Sequence, residues 1–213
     1  MASREGACLM STGKRAFDLL LALAGVALLW PLLLLVALAV RLCDGPPILY
    51  RAERMRAPDQ PFTLWKFRTM RPDPTDRGVS GGDKARRITR LGGHLRRLRL
   101  DELPQLWNLL NGDISVVGPR PPLRRYVEAH PRLYAAVLRS RPGLTGMATV
   151  HFRHREETLL APCRSAEETE RTYSTRCIPA KARLDLLYAR RRTLWLDLHL
   201  ILMTFLPDRR RRR

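Results

Sequence analysis

The run Arg99-Leu100-Asp101-Glu102-Leu103-Pro104-Gln105-Leu106-Trp107-Asn108 holds two adjacent carboxylates, Asp101 and Glu102, where an arginine-rich segment gives way to apolar residues at helical spacing. Arg90, Arg96, Arg97 and Arg99 make up that segment. Pro104 suits the first turn of a helix, where its missing N–H costs little. A helix start offers free N–H groups and a partial positive charge, which favour a phosphate. A carboxylate there can act as a nucleophile, and its neighbour can hold a divalent cation. The same pair also fits a structural role, an acidic N-cap and a first-turn Glu paired with nearby arginines. On the pair alone the structural role has the better claim, and the residues around it shift the balance.

The elements that must position this pair begin with an apolar run. From Leu19 to Val40 there is no charged residue, a stretch of roughly 22 residues and long enough to span a bilayer as a helix. Ala37-Leu38-Ala39 mimics a signal cleavage site, but the apolar run is long for a signal peptide. Pro31, beside Trp30, sits mid-run, where proline removes a backbone bond and kinks a helix. Both flanks are basic: Arg4, Lys14 and Arg15 before it, and Arg41, Arg51, Arg54 and Arg56 after it. The positive-inside rule wants such flanks on the cytoplasmic side. If both obey it, the segment bends near Trp30-Pro31 and returns; a kinked spanning helix stands even with that on the residues alone.

Beyond the run, Ile48–Glu53 and Phe62–Arg68 read as two strands of a hairpin around Ala57-Pro58-Asp59-Gln60-Pro61. Met70–Lys84, rich in Pro, Gly, Asp and Ser, reads as a mobile loop. Ile88–Leu98 and Leu103–Leu110 read as helices, Ile114–Val117 as a strand, Leu123–Arg139 as a helix and Thr145–Phe152 as a strand. Gly118-Pro119-Arg120-Pro121-Pro122 is a rigid loop able to aim Arg120 at an anion at small entropic cost. Lys181–Leu206 reads as one basic amphipathic helix suited to a membrane surface. The fold class expected is α/β, mainly α, with short strands and a hairpin.

The formal net charge of +19 on 213 residues predicts an anionic partner: nucleic acid, anionic lipid or a phosphorylated substrate. Arg209–Arg213 is a purely basic tail, read as solvated. Cys8, Cys43, Cys163 and Cys177 show no C-x-x-C spacing and read as reduced thiols. His151 and His154 lack a third ligand, so they read as polar strand or loop residues rather than a zinc site.

Taken in order, these segments resemble the bacterial sugar transferase family, the monotopic phosphoglycosyl transferases. The resemblance runs from about Lys14 to Thr204. It is carried by Lys14-Arg15-Ala16-Phe17-Asp18, Gly45-Pro46-Pro47-Ile48, the segment Pro61–Met70, Ile88-Thr89-Arg90-Leu91-Gly92, Leu100–Asn108, Val117-Gly118-Pro119-Arg120-Pro121 and Arg141-Pro142-Gly143-Leu144-Thr145-Gly146. It implies that Asp101 attacks the sugar-proximal phosphate of a UDP-sugar, that UMP leaves, and that undecaprenyl phosphate then takes the phosphosugar from Asp101. Such a reaction is the first membrane step in building a surface polysaccharide or glycoconjugate. The resemblance assigns Glu102 to Mg2+ and Arg120 to the nucleotide. Arg96 or Arg97 would hold a phosphate, with Lys66 and Arg68 as further phosphate-binding candidates. It also implies a re-entrant membrane helix over 14–42 after a flexible 1–13, a cytoplasmic domain over 43–206 at the bacterial inner membrane, and a basic tail over 207–213. The partners expected are the UDP-sugar, undecaprenyl phosphate and anionic inner-membrane lipid, with a homodimer left open and no nucleic acid. Trp30 stands where the family usually has a serine before the proline of the membrane break, and Met55–Gln60 lacks the family's glycine-bearing turn. The rival reading, a membrane-tethered nucleic-acid-binding or scaffold protein, explains the charge but not the carboxylate pair or the Pro-Arg-Pro loop.

Overall fold

In the computed structural model, residues 12–72 and 87–206 are described. The expected loop over Met70–Lys84 and the basic tail fall largely or wholly outside them. A Leu- and Ala-rich segment with few β-branched residues forms one helix, α1 (Thr12–Cys43), of 32 residues. At 1.5 Å per residue it is about 48 Å long, more than a bilayer core needs. It runs unbroken through Trp30 and Pro31, although proline deprives the Ala27 carbonyl of its usual partner. It is the one described helix long and apolar enough to cross a membrane.

α1 does not stand apart from the rest of the fold. Lys14, Asp18, Ala22, Val36 and Val40 are buried along one stripe, four residues apart at each end. Gly25 continues that stripe, since a Cβ there would lie 3.2 Å from the Leu106 side chain. Ala22 joins the core cluster of Leu109, Ile114, Val116, Val117, Tyr188 and Leu200. Val36 and Val40 join Phe67 and Leu95 in a second cluster. The other faces leave Leu20, Leu23, Leu28, Trp30, Leu34, Leu35, Leu38 and Leu42 exposed.

The hairpin forms as expected from β1 (Leu49–Ala57) and β2 (Gln60–Phe67), paired antiparallel from Leu49↔Phe67 to Ala57↔Gln60. Only Pro58 and Asp59 lie outside the strands, so the turn is tighter than the five-residue segment suggested. α2 (Arg90–Arg97) is capped by the Thr89 hydroxyl, which accepts from the Gly92 N–H. A 3-10 turn (Leu100–Glu102) and α3 (Gln105–Asn111) follow. β3 (Ser115–Val117) and β4 (Gly143–Thr145) pair in parallel, Ser115↔Gly143 and Val117↔Thr145. Gly118 and Gly143 allow that approach: a Cβ on either would sit 2.1–2.2 Å from backbone of the other segment.

Three expectations are corrected. Leu123–Arg139 is two helices, α4 (Arg124–Ala129) and α5 (Pro131–Val137), because Pro131 cannot continue α4 and starts α5 instead. Thr145–Phe152 is not a strand: past β4 the chain turns at Gly146 into α6 (Met147–Leu160). The β-branched Thr149 and Val150 are outweighed by Met147, Ala148 and the helix formers from Arg153 to Leu160. His151 and His154 therefore stand exposed on a helix. Lys181–Leu206 is likewise two helices. After α7 (Ala166–Thr172) and a π turn (Tyr173–Cys177), α8 (Ile178–Arg191) ends where Thr193, extended at φ −140° and ψ 157°, caps α9 (Leu194–Phe205). α9 buries Asp197 and Leu200 and exposes Leu194, Trp195, Leu198 and Leu202. The third core cluster joins Met55, Tyr126, Val127, Tyr134, Val137, Leu138, Ile178 and Ala182.

Candidate active site

The carboxylate pair lies one turn earlier than the sequence reading put it. Asp101 and Glu102 occupy the 3-10 turn, and Pro104 is the N-cap of α3 rather than a residue of its first turn. The turn is set off from α2 by Arg99, whose φ of 58° makes it the one non-glycine residue with left-handed backbone among those described. A bulky residue held there costs of order 1 kcal/mol, and such positions cluster at functional sites. The kink aims the pair at a cleft of about 630 Å³ between the hairpin, the Arg120 loop, α6 and α8.

β2 delivers Lys66 and the loop after β3 delivers Arg120. Lys66 Nζ donates to Glu102 Oε1 at 2.9 Å, and Arg120 reaches the same oxygen at 3.5 Å. Arg99 is 3.9 Å from Oε2. Burial works against the Glu102 charge, yet Arg120, Lys66 and Arg99 together hold its carboxyl down at about 2. Asp101 is shifted the other way. Burial raises its carboxyl above the ordinary range, the Lys66 ammonium opposes this, and the Glu102 charge adds to it. Lys66 is itself lowered, by burial and by the Arg120 charge, against the pull of Glu102 and Asp101. Two neighbouring carboxylates pushed apart in this way are suited to different roles: one as a fixed charge, the other as a basic, poorly hydrated oxygen.

The candidate cations separate. Arg96 lines the cleft, its Nε donating to Thr69 Oγ1 at 2.8 Å, whereas Arg97, one position on, is exposed and does not line it. Arg68 is buried just past the end of β2, two residues beyond Lys66, its guanidinium on the Asp44 and Gly45 carbonyls, where it ties the end of α1 to β2. Trp30 and Pro31 are exposed on α1 and do not line the dyad's cleft.

The far wall of the cleft was not foreseen. Lys181 on α8 donates to Glu156 of α6 at 2.9 Å and to the Tyr173 hydroxyl at 3.2 Å. Asp185, one turn on, is 8% exposed, and burial pushes its carboxyl up to about 7 although the Lys181 charge and the Ala148 N–H pull it down. Its Oδ1 is buried with no hydrogen-bond partner. No local pattern marks these residues, because α6 and α8 meet only in the fold. Among the described residues no cluster of three or more His, Cys, Asp or Glu side chains is placed to hold a metal by itself.

The profile of the bacterial sugar transferase family matches residues 9–207, so this chain belongs to that family. It is 33% identical over 196 residues to the UDP-glucose:undecaprenyl-phosphate glucose-1-phosphate transferase of Escherichia coli, covering 90% of this chain and 39% of that protein. It is 39% identical over 198 residues to the enzyme of the same name from Caulobacter vibrioides, covering 90% and 67%. It is 31% identical over 197 residues to the UDP-N-acetylgalactosamine-undecaprenyl-phosphate N-acetylgalactosaminephosphotransferase of Aeromonas hydrophila, covering 90% and 42%. The chain spans 35–39% of the length of four of the curated relatives it matches.

Proposed function

We propose that this chain is a membrane-associated phosphoglycosyl transferase that moves a phosphosugar from a UDP-sugar to undecaprenyl phosphate through a covalent intermediate on Asp101. The observation that carries this reading is the opposed pair in one cationic cleft: Glu102 ionised under three cations, Asp101 buried beside it. The diphosphate of the donor enters among Lys66, Arg96, Arg99 and Arg120, which offset its charge. An Asp101 carboxylate oxygen attacks the sugar-proximal phosphorus. The new P–O bond to Asp101 forms as the P–O bond to UMP breaks, and UMP leaves with that oxygen and its charge. A phosphate oxygen of undecaprenyl phosphate then attacks the same phosphorus. The acyl-phosphate bond breaks, Asp101 leaves as a carboxylate, and the lipid carries the diphosphosugar.

The residues fit Mg2+ in one respect. Lys66 and Arg120 both lie on Oε1 of Glu102, while Oε2 has, among the described residues, only Arg99 at 3.9 Å. A single ionised carboxylate completed by substrate phosphates is how this ion is ordinarily held. Glu102 would hold it, and when bound it would neutralise phosphate charge.

The inner membrane, with the catalytic domain on the cytoplasmic side where UDP-sugars are found, is the proposed location. Support comes from the exposed apolar faces of α1 and α9 and from the packing of both ends of α1 on the same domain. Which sugar is carried is left open by relatives named for different sugars.

Asp101→Asn tests the proposal. Membranes carrying it should lose UMP release by at least about a thousandfold, with the protein still folded and membrane-bound. Acid-quenched wild type should retain label from a UDP-sugar and the variant none. Near-normal turnover by the variant, with the amide shown intact, would refute the mechanism.

A further inference from the structure

The first turns of the membrane helix are wired into the two elements that flank the dyad. Arg15 donates to the Leu109 and Leu110 carbonyls at 2.8 Å each, gripping the last turn of α3. Asp18 accepts from the Val116 N–H in β3 at 3.2 Å. Lys14 Nζ donates to Asp197 Oδ2 on α9 at 2.6 Å. The Tyr188 hydroxyl of α8 lies 2.6 Å from Asp197 Oδ1 and 3.1 Å from the Val117 carbonyl and shares its one proton between them. Val117 is the last residue of β3, three before Arg120. Lys14, Asp197, Tyr188 and Val117 are each 3% exposed or less.

We propose that the base of the membrane helix is a positioning device for catalysis: through Lys14, Asp197 and Tyr188 it fixes the Val117 carbonyl and so the loop that carries Arg120 to Glu102. A buried ion pair is weak evidence for stability, since apolar side chains of similar volume often serve as well or better. What a buried hydrogen-bonded network adds is a preferred register. The register here belongs to the Val117–Arg120 segment. Its other ties are backbone bonds, from the Gly118 N–H to the Thr145 carbonyl and from the Gly143 N–H to the Pro119 carbonyl, both 2.8 Å. Those fix Gly118 and Pro119 against β4, and the Met55 N–H of β1 holds the far end of the loop through the Pro122 carbonyl at 3.0 Å. Asp18, on the Val116 N–H, refers the strand before the loop to α1, the Tyr188 relay adds the Val117 carbonyl, and Arg15 refers α3 to the same two turns. Lys14 is thereby part of the protein interior, and the half-buried Arg15 is turned onto α3, although both charges would otherwise read as lipid-facing anchors. Tyr188 and Lys14 touch no substrate, so they are positioning residues.

The inference rests on the transferase reading for its activity arm, and a second arm needs no turnover. Tyr188→Phe keeps the ring and removes the relay. It should lower kcat/KM for UDP-sugar by about tenfold, the scale of a sub-ångström misplacement, and should cause no further loss in an Arg120→Ala background. In a cysteine-free chain, a nitroxide on R120C should become more mobile with Tyr188→Phe, while one on R132C in α5 should not change. Lys14→Met with Asp197→Asn, which leaves no unpaired buried charge, should loosen the same label. Equal fold-losses in both backgrounds, an unchanged spectrum at 120 with either change, or equal loosening at 132 overturns the proposal. If wild type releases no UMP, the transferase reading fails, and the label spectra still decide this one.

Discussion

Asp185→Asn should change how stability depends on pH, in a direction set by the wall of the cleft. Asp185 is buried on α8, the Lys181 charge favours its ionised form, the Ala148 N–H donates to it, and its Oδ1 has no partner. Burial raises its carboxyl from 3.8 to about 7. A carboxyl raised on folding binds its proton more tightly in the native state. Its contribution is therefore fully present below pH 3.8, declines as pH rises, and is lost once pH passes about 7. At about 1.4 kcal/mol per pH unit, that window is worth about 4 kcal/mol. The amide introduced by Asp185→Asn keeps an oxygen for the Ala148 N–H and has no charge to bury. Whatever its cost at pH 4, the variant should gain on wild type by about 4 kcal/mol by pH 8, roughly 8–16 °C in melting temperature for a chain of this size. Thermal melts of both proteins in detergent, followed by tryptophan fluorescence from pH 4 to 8, read that swing. A difference between the two melting curves that stays flat across the range refutes the reasoning, for it means that Asp185 titrates as an ordinary carboxyl.

Two further outcomes follow from the site and the helix. Glu102→Gln should raise the Mg2+ concentration needed for half-maximal UMP release by at least about tenfold, because a neutral amide oxygen is a poorer ligand for a hard cation; an unchanged titration and maximal rate would remove Glu102 from that role. Single cysteines at positions 4 and 56, in an otherwise cysteine-free chain, should both resist an impermeant maleimide until the membrane is opened, and labelling of either in intact cells would show that the segment crosses.

The site was legible where chemistry is local in sequence. Asp101, Glu102 and the proline-stiffened Arg120 announce themselves by type and spacing, and the structure brings all three to one cleft with Lys66. The choice between Arg96 and Arg97 was not legible, because adjacent residues on a helix differ by about 100° in direction and only the docking of α2 says which faces inward. Arg68 looked like a phosphate ligand because a buried arginine holding backbone carbonyls has the same sequence signature as one awaiting an anion. In the fold, β-branched Thr145, Thr149 and Val150 suggested a strand, and the helix formers after them prevailed. The Lys181–Leu206 pattern kept its period across a two-residue break, since Thr193 is a cap whose partner, the Leu196 N–H, is visible only in the structure.

Lys14 marks the limit of reading charge as topology. In the sequence it is one more basic residue beside an apolar run, and the positive-inside rule assigns it to the cytoplasm as a solvated charge. In the structure it is 3% exposed and paired with Asp197 from the far end of the chain. On the proposed cytoplasmic location the rule and the packing put it on the same side of the membrane, for different physical reasons: one rests on the cost of moving a charge through lipid, the other fixes it inside a folded domain. The packing is the stronger constraint. A flank held only by charge could be carried across by a long enough helix, and 32 residues are enough. A flank whose Lys14, Arg15 and Asp18 are bonded to α9, α3 and β3 cannot leave that domain without breaking them, and at the other end Val36 and Val40 are packed against Phe67 and Leu95. A helix fastened to one domain at both ends supports the proposed topology, in which it enters a bilayer only as far as its exposed faces reach, as the proposed reaction between a water-borne nucleotide and a membrane-bound lipid phosphate requires.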